Sequence, residues 1–267
     1  MPGNPDGARE FRLIMLSALR TILFNLCFYL NTILHMLACL PVLLLPRRML
    51  WRAVNSWVSV NLWFLRTICG VTFEFSGTER IPSGALLIAA KHQSTGETYA
   101  LLKFLTDPVY VLKRELMWIP VFGWYCLKAR MIPVNRGARA GVMAAMAERA
   151  KREIARGRQI IIFPEGTRRA PDAEPAYKYG VAFLYGELDV PCLPVALNSG
   201  LYWPRRSWHM RPGVIRVEFL DPIPPGMHPD AFLTRLQNEL EPATARLVSA
   251  GRSEIAARER RRALLGN

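Results

Sequence analysis

The stretch 21–45 runs for 25 residues without an Asp, Glu, Lys or Arg. As a helix it would reach about 37 Å, enough to cross a hydrocarbon core. Asn25, Asn31 and His35 within it, and Pro41 near its end, speak against a simple span. Arg9, Arg12 and Arg20 precede it and Arg47, Arg48 and Arg52 follow, so basic residues on both flanks leave its orientation open. The run is too long for a cleaved signal peptide, and no clear small-x-small site follows it. The next stretch, 51–69, sets Trp51, Trp57, Trp63 and Phe64 among polar residues. It reads as an amphipathic helix at an interface, where Trp is favoured; ordinary core packing of these rings is the alternative.

Beyond residue 70 the period changes. Positions 71–75 alternate cleanly, as a half-buried strand does, while 85–90 and 158–163 are short apolar runs that read as strands buried on both faces. Further strands are expected at 109–113, 131–135 and 214–220. Ser94 and Glu97 form a capping-box pattern before the apolar stretch 99–105, which places a helix start there. A helix is expected over 141–156, with Met143, Ala147, Ala150 and Ile154 as its buried face and Gly157 as its stop. Another is expected over 229–248, followed by a charged tail. This alternation predicts an α/β fold with a mainly parallel central sheet flanked by helices and an N-terminal membrane-embedded helical segment. The chain divides into an N-terminal membrane-associated helical region (1–69), an α/β domain (70–250) and a basic C-terminal tail (251–267).

Composition narrows the partners. The 267 residues carry a formal charge of +14, which implies anionic partners, and 51% hydrophobic content is high for a soluble protein but low for a multi-span one. The basic residues are spread out and no nucleic-acid module accompanies them, so lipid head groups are the better match. Contact of the 252–262 basic cluster with anionic lipid is one reading of it; a solvated end is the other. Five scattered cysteines, Cys27, Cys39, Cys69, Cys126 and Cys192, show neither metal spacing nor a disulfide framework and favour a reducing compartment.

Two blocks carry chemistry. Lys91-His92-Gln93-Ser94-Thr95-Gly96-Glu97 follows a predicted strand, so His92 is placed in a strand-to-helix turn at a carboxyl edge, where open α/β sheets bind ligands. A capping Glu97 reaching back can accept a hydrogen bond from one imidazole nitrogen and leave the other basic. Alternatively, Glu97 only caps the helix. The second block, Phe163-Pro164-Glu165-Gly166-Thr167-Arg168, ends another predicted strand. Pro164 and Gly166 suit a tight turn. Arg168 can fork onto a phosphate, with Thr167 or backbone amides adding donors. His35 lies in the apolar segment, and His209 and His228 lie in Pro-rich loops without acid partners at useful spacing. Zinc-hydrolase and serine-esterase motifs are absent, and Ser94 is better explained as a cap than as a nucleophile.

These blocks, with Lys113-Arg114-Glu115-Leu116, Ile132-Pro133-Val134-Asn135-Arg136-Gly137 and the run from Val190 to Asn198, resemble in order the 1-acyl-glycerol-3-phosphate acyltransferase family of glycerolipid acyltransferases. The resemblance covers roughly residues 70 to 200. The family's commonest first block ends in Asp, and Glu97 stands here. The resemblance implies transfer of a fatty acyl group from a thioester (acyl-CoA or an acyl–acyl carrier protein) to the free hydroxyl of lysophosphatidic acid. His92 would be the base and Glu97 its orienting acid. Arg168 and Arg136, with Lys113 as a weaker candidate, would hold the acceptor phosphate; Glu165 would hydrogen-bond the glycerol part, and Gly166 and Thr167 complete the loop. No metal or bound cofactor is required. The resemblance also implies a two-helix amino-terminal unit in one leaflet, at the cytoplasmic face of a bacterial inner membrane. Within the family the acceptor can be another lysolipid, such as a lyso-ornithine lipid, or glycerol phosphate. From a different class, a non-catalytic membrane-binding protein that kept the fold is the rival.

Overall fold

The apolar helix is longer than expected at its start and shorter at its end. In the computed structural model, which describes residues 5–135, 140–205, 207 and 209–264, α1 spans Pro5–Ala38 and a 3-10 turn at Leu40–Leu43 carries the chain into α2 (Arg47–Cys69). Pro41 sits in the first turn of that 3-10 segment and Pro46 is the N-cap of α2, positions where a missing N–H leaves nothing unsatisfied. The stretch Ile14–Ala38 is long and apolar enough to cross a membrane. The two helices pack as a hairpin: Trp57 Nε1 donates to Thr32 Oγ1 at 3.0 Å, and His35 Nε2 lies 3.0 Å from Ala53 O.

The Trp-bearing helix divides between the two readings of it. Leu50, Trp51, Val58 and Leu65 are buried in the core, Trp57 packs on Tyr99, and Trp63 is exposed. α2 is therefore amphipathic, with one stripe in the core and the rest half-buried or exposed. Asp107 pins its first turn, accepting from Arg47 Nη2 at 2.6 Å and Trp51 Nε1 at 2.7 Å.

The remaining elements are β1 (Val71–Ser76), β2 (Leu86–Ala90), α3 (Gly96–Ala100), β3 (Pro108–Lys113), α4 (Phe122–Lys128), β4 (Ile132–Val134), α5 (Ala140–Ile154), β5 (Gln159–Ile162), α6 (Gly180–Leu188), β6 (Cys192–Leu197), β7 (Gly213–Phe219) and α7 (Pro229–Leu264). The strands form one seven-stranded sheet in the order β1-β7-β6-β2-β5-β3-β4. The five from β6 to β4 are parallel; β7 is antiparallel to β6, and β1 pairs parallel with β7. The mainly parallel α/β fold is thus the one expected. β2 lies at the centre, and its side chains divide between two cores. Leu86, Ile88 and Ala90 face α1 and α2, while Leu87 and Ala89 face α5, α6 and α7. That two-sided burial is why the run reads as continuously apolar.

One strand was not foreseen and two expectations are corrected. β6 lies next to the centre of the sheet although its segment carries Pro191 and Pro194, and a proline cannot donate to a ladder. Pro194 is accommodated because its carbonyl still accepts from Leu220 N–H at 3.0 Å. On α5 the buried positions include Met146 and Glu153 in place of the expected Met143 and Ile154. The final helix does not stop near 248 but continues to Leu264, with Ile255 packed against the core.

Candidate active site

The register of β2 on β5 decides what the site contains. Ala89 lies opposite Ile162, so the loops that leave the two strands depart side by side from one sheet edge. The main chain locks them together: Arg169 N–H donates to His92 O at 2.8 Å. The rings follow, with the His92 imidazole stacked on Phe163 at a centroid distance of 4.1 Å and 19° between planes.

His92 Nδ1 is 2.9 Å from Glu97 Oε1, and Glu97 is fully buried. The same Oε1 accepts from the backbone N–H of Gln93 at 2.8 Å and of Ser94 at 2.7 Å. Oε2 accepts from Ser94 Oγ and, at 2.9 Å, from Ser199 Oγ. Burial by itself would raise this carboxyl. Hydrogen bonding and charge from His92, with the Ser94 hydrogen bonds, outweigh it and hold Glu97 below the ordinary carboxylate value. An ionised Glu97 only accepts, so Nδ1 carries the proton and Nε2 keeps its lone pair. The sign for stability follows: a depressed carboxyl contributes fully at neutral pH, and the contribution is lost as pH falls through its lowered value. Glu97→Gln removes that contribution, so the variant should be less stable than the wild type at neutral pH and should lose less stability as pH falls into the acid range, read by fluorescence. One side chain thus accepts from the backbone N–H groups ahead of the helix and also hydrogen-bonds the imidazole. The helix begins one residue later than expected, with Thr95 as N-cap and Ser94 Oγ accepting from Gly96 N–H at 2.9 Å.

The other expected residues are distributed unevenly. Lys113, at the end of β3, and Gly166 line the same cavity as His92. Gly166 has φ +63°, the left-handed value that suits glycine, and Lys178 lies over the space where a side chain would be. Arg168 Nη1 donates to Thr95 Oγ1 at 2.7 Å, which holds the guanidinium beside the His92 turn. Thr167 is half-buried in the same loop. Glu165 is buried, with Oε1 accepting from Lys91 Nζ at 2.9 Å. Arg136 lies outside the described residues.

Several side chains escaped the sequence reading. Lys91 also donates to Glu241 Oε1 of α7 at 2.9 Å, and Tyr177 Oη donates to that oxygen at 2.6 Å. A buried cation thus ties both site loops to a helix 150 positions away in sequence. Gln93 Oε1 accepts from Gly200 N–H at 3.0 Å. Lys178 lines the cavity, and its N–H donates to Pro164 O at 2.9 Å. Only the tyrosines around Lys178 mark it in the sequence, and they are no signal.

The cavity has a volume of about 840 Å³. His92 and Phe163 line it at the sheet edge, Tyr110, Met131 and Met146 along its length, and Thr32, Met36 and Trp57 on α1 and α2. Its walls are overwhelmingly apolar, as a fatty chain requires. Cys126 also lines it, but burial pushes its thiol up to about 12, so it is no nucleophile at neutral pH.

A protein-family model described as Acyltransferase matches residues 72–198. A 1-acyl-sn-glycerol-3-phosphate acyltransferase of Pseudomonas aeruginosa is 34% identical over 244 residues, 89% of this chain and 92% of that protein. The chain belongs to the 1-acyl-sn-glycerol-3-phosphate acyltransferase family. The human alpha enzyme of that name is 26% identical over 173 residues, 63% of this chain and 61% of its own. The acyltransferase PlsC from Thermotoga maritima shares the fold, with a TM-score of 0.69 at 22% identity, covering 86% of this chain and 97% of that one. The family match ends at Asn198, so it spans both site loops and β6 but neither Glu241 nor the N-terminal hairpin.

Proposed function

We propose that this protein transfers a fatty acyl group from a thioester to the sn-2 hydroxyl of lysophosphatidic acid, giving phosphatidic acid. The observation that carries this reading is the His92–Glu97 pair at the edge of an apolar cavity of about 840 Å³. His92 Nε2 takes the acceptor's hydroxyl proton as its oxygen attacks the thioester carbonyl. Glu97 holds the tautomer and stabilises the imidazolium. The tetrahedral intermediate collapses by expelling the thiolate, which recovers the proton from His92 and leaves as the free thiol. The apolar cavity takes a fatty chain. Arg168 and Lys113, with Arg136, hold the acceptor phosphate, and Thr167 and the Gly166 turn add donors. Glu165 acts on the loop through Lys91 as well as through any contact to glycerol. Purified protein assayed with lysophosphatidic acid, lyso-ornithine lipid and glycerol phosphate, each with acyl-CoA and acyl–acyl carrier protein, tests the proposal. Transfer to lysophosphatidic acid from neither donor would overturn it.

Arg168→Ala should raise the apparent KM for the phosphate-bearing acceptor by about ten- to a hundred-fold, the equivalent of one charge-assisted hydrogen bond. Arg168→Lys should do so less, since the charge stays and the fork is lost. A change confined to the thioester would move Arg168 to the donor site.

The apolar outer side of α1, where Leu19, Leu26, Leu30 and Leu34 are exposed, supports membrane association, and a position on the cytoplasmic face suits soluble thioester donors. High salt should leave the protein on membranes, because screening weakens charge attraction but not apolar burial; detergent should release it. Quantitative release by salt alone would refute an embedded anchor.

A further inference from the structure

After β3 the backbone adopts a conformation that L residues rarely take. Val121 has φ 64° and ψ −52°, and Phe122 N–H donates to Pro120 O at 2.7 Å, which closes a γ-turn of the strained hand. The next residue has no room for a side chain: a Cβ on Gly123 would lie 2.0 Å from Met117 O. This turn joins the 3-10 segment Arg114–Trp118 to α4 in a tightly built hairpin. What the hairpin holds outward is apolar. Trp118 is 76% exposed and Trp124 55%, with Ile119 and Leu127 exposed beside them. Single exposed apolar side chains are ordinary, but four within 118–127, two of them Trp, make a patch.

Position, lining and charge say what covers it. Tyr125 Oη donates to Met36 O at 2.7 Å, and α4 packs on the turn Leu40–Leu43, so the hairpin adjoins the end of α1. There Leu37, Leu44 and Leu45 are exposed as well. The inner side of the hairpin, through Leu116, Phe122 and Tyr125, lines the cavity together with Met36 and Cys39 of the α1 end. The segment 114–130 also carries Arg114, Lys128 and Arg130, and its one acid, Glu115, is paired with Lys113 at 2.9 Å. Indole rings flanked by cations match the head-group layer of an anionic bilayer, where the rings lie at the polar boundary and the cations meet phosphates.

We propose that the hairpin 114–128 is a second membrane-contacting element, set in the head-group layer of an anionic bilayer beside the end of α1, and that the lysolipid chain enters the cavity between the two. The entry route rests on the lysolipid reading above; the contact itself does not.

The test uses the full-length protein on vesicles of phosphatidylglycerol and phosphatidylethanolamine containing lipids brominated at shallow or deep acyl positions. The fluorescence that the Trp118→Phe/Trp124→Phe pair removes should be quenched, more by shallow than by deep bromines. If that component is unquenched while the remaining tryptophans are quenched, the patch faces water or a protein and the proposal fails. In the same vesicles Trp118→Glu/Trp124→Glu should lower transfer to long-chain lysophosphatidic acid by about tenfold. Transfer in detergent micelles should be unchanged, as should thermal unfolding. Equal loss in vesicles and micelles with the fold intact would make these residues part of the site and overturn the entry route. Failure of the enzymatic reading is seen separately, as an inactive wild type in both settings, and leaves the quenching result to decide the contact.

Discussion

His92→Ala should lower acyl transfer by about 10²–10⁴-fold, the usual contribution of a positioned general base, while the protein stays folded and membrane-bound. The imidazole is only partly buried and stacks on Phe163, so its removal leaves the helix start, which Glu97 and Ser94 build, in place. A purified, folded variant that kept most of its activity would sink the mechanism. Glu97→Gln should be severe but milder than loss of His92. The amide oxygen can still accept from the Gln93 and Ser94 N–H groups, yet it cannot stabilise an imidazolium. Glu97→Asp is the informative control, because the shorter carboxylate must reach Nδ1, two backbone amides and Ser199 at once. Activity near wild type would show that the loop adjusts to either acid; a severe loss would show that this chain's turn is built around the longer one.

The largest expected effect on stability lies away from the chemistry. Arg158 is fully buried, with Nη1 donating to Glu153 Oε2 at 2.6 Å. Its Nη2 reaches Ala129 O at 2.9 Å, Pro108 O at 3.2 Å and Asp107 Oδ1 at 2.9 Å. Asp107 in turn holds Arg47 and Trp51, so one guanidinium links α5, β3 and the first turn of α2. Arg158→Met should destabilise the protein by about 3–5 kcal/mol, because the buried Glu153 loses its buried cation and keeps only the more exposed Arg156 on its other oxygen. For a chain of this size that is a fall in Tm of about 6–20 °C. Adding Glu153→Gln should recover part of the loss, since that buried charge is then gone. The melting temperatures of the two variants in detergent decide the matter; a single variant that melts with the wild type would show that the cluster contributes nothing net.

The local pattern was enough for the strands that obey it. β1 alternates because only one of its faces is buried, and β2 and β5 read as apolar runs because both of theirs are. The pairing of His92 with Glu97 was also legible, since five positions across a strand-to-helix turn is a local distance and a capping carboxylate must point back. Arg168 was placed in the right loop for the same reason. What the sequence could not supply depends on contacts between distant segments. Ser199 reaches Glu97 across 102 positions and Glu241 reaches Lys91 across 150, and no periodicity encodes either pair. Glu153 belongs to the buried face of α5 only because Arg158 waits there, so an amphipathic pattern misassigns it. β6 was not foreseen; a strand tolerates its prolines only where a neighbour does not need the missing N–H, and that is settled by the sheet order. The chain by itself thus determined the α/β class, the two site loops and the His92–Glu97 pair, all products of short-range geometry. The tertiary structure alone decided the cavity between the N-terminal hairpin and the sheet edge, and the buried charges that hold its walls, because both arise where segments far apart in sequence meet.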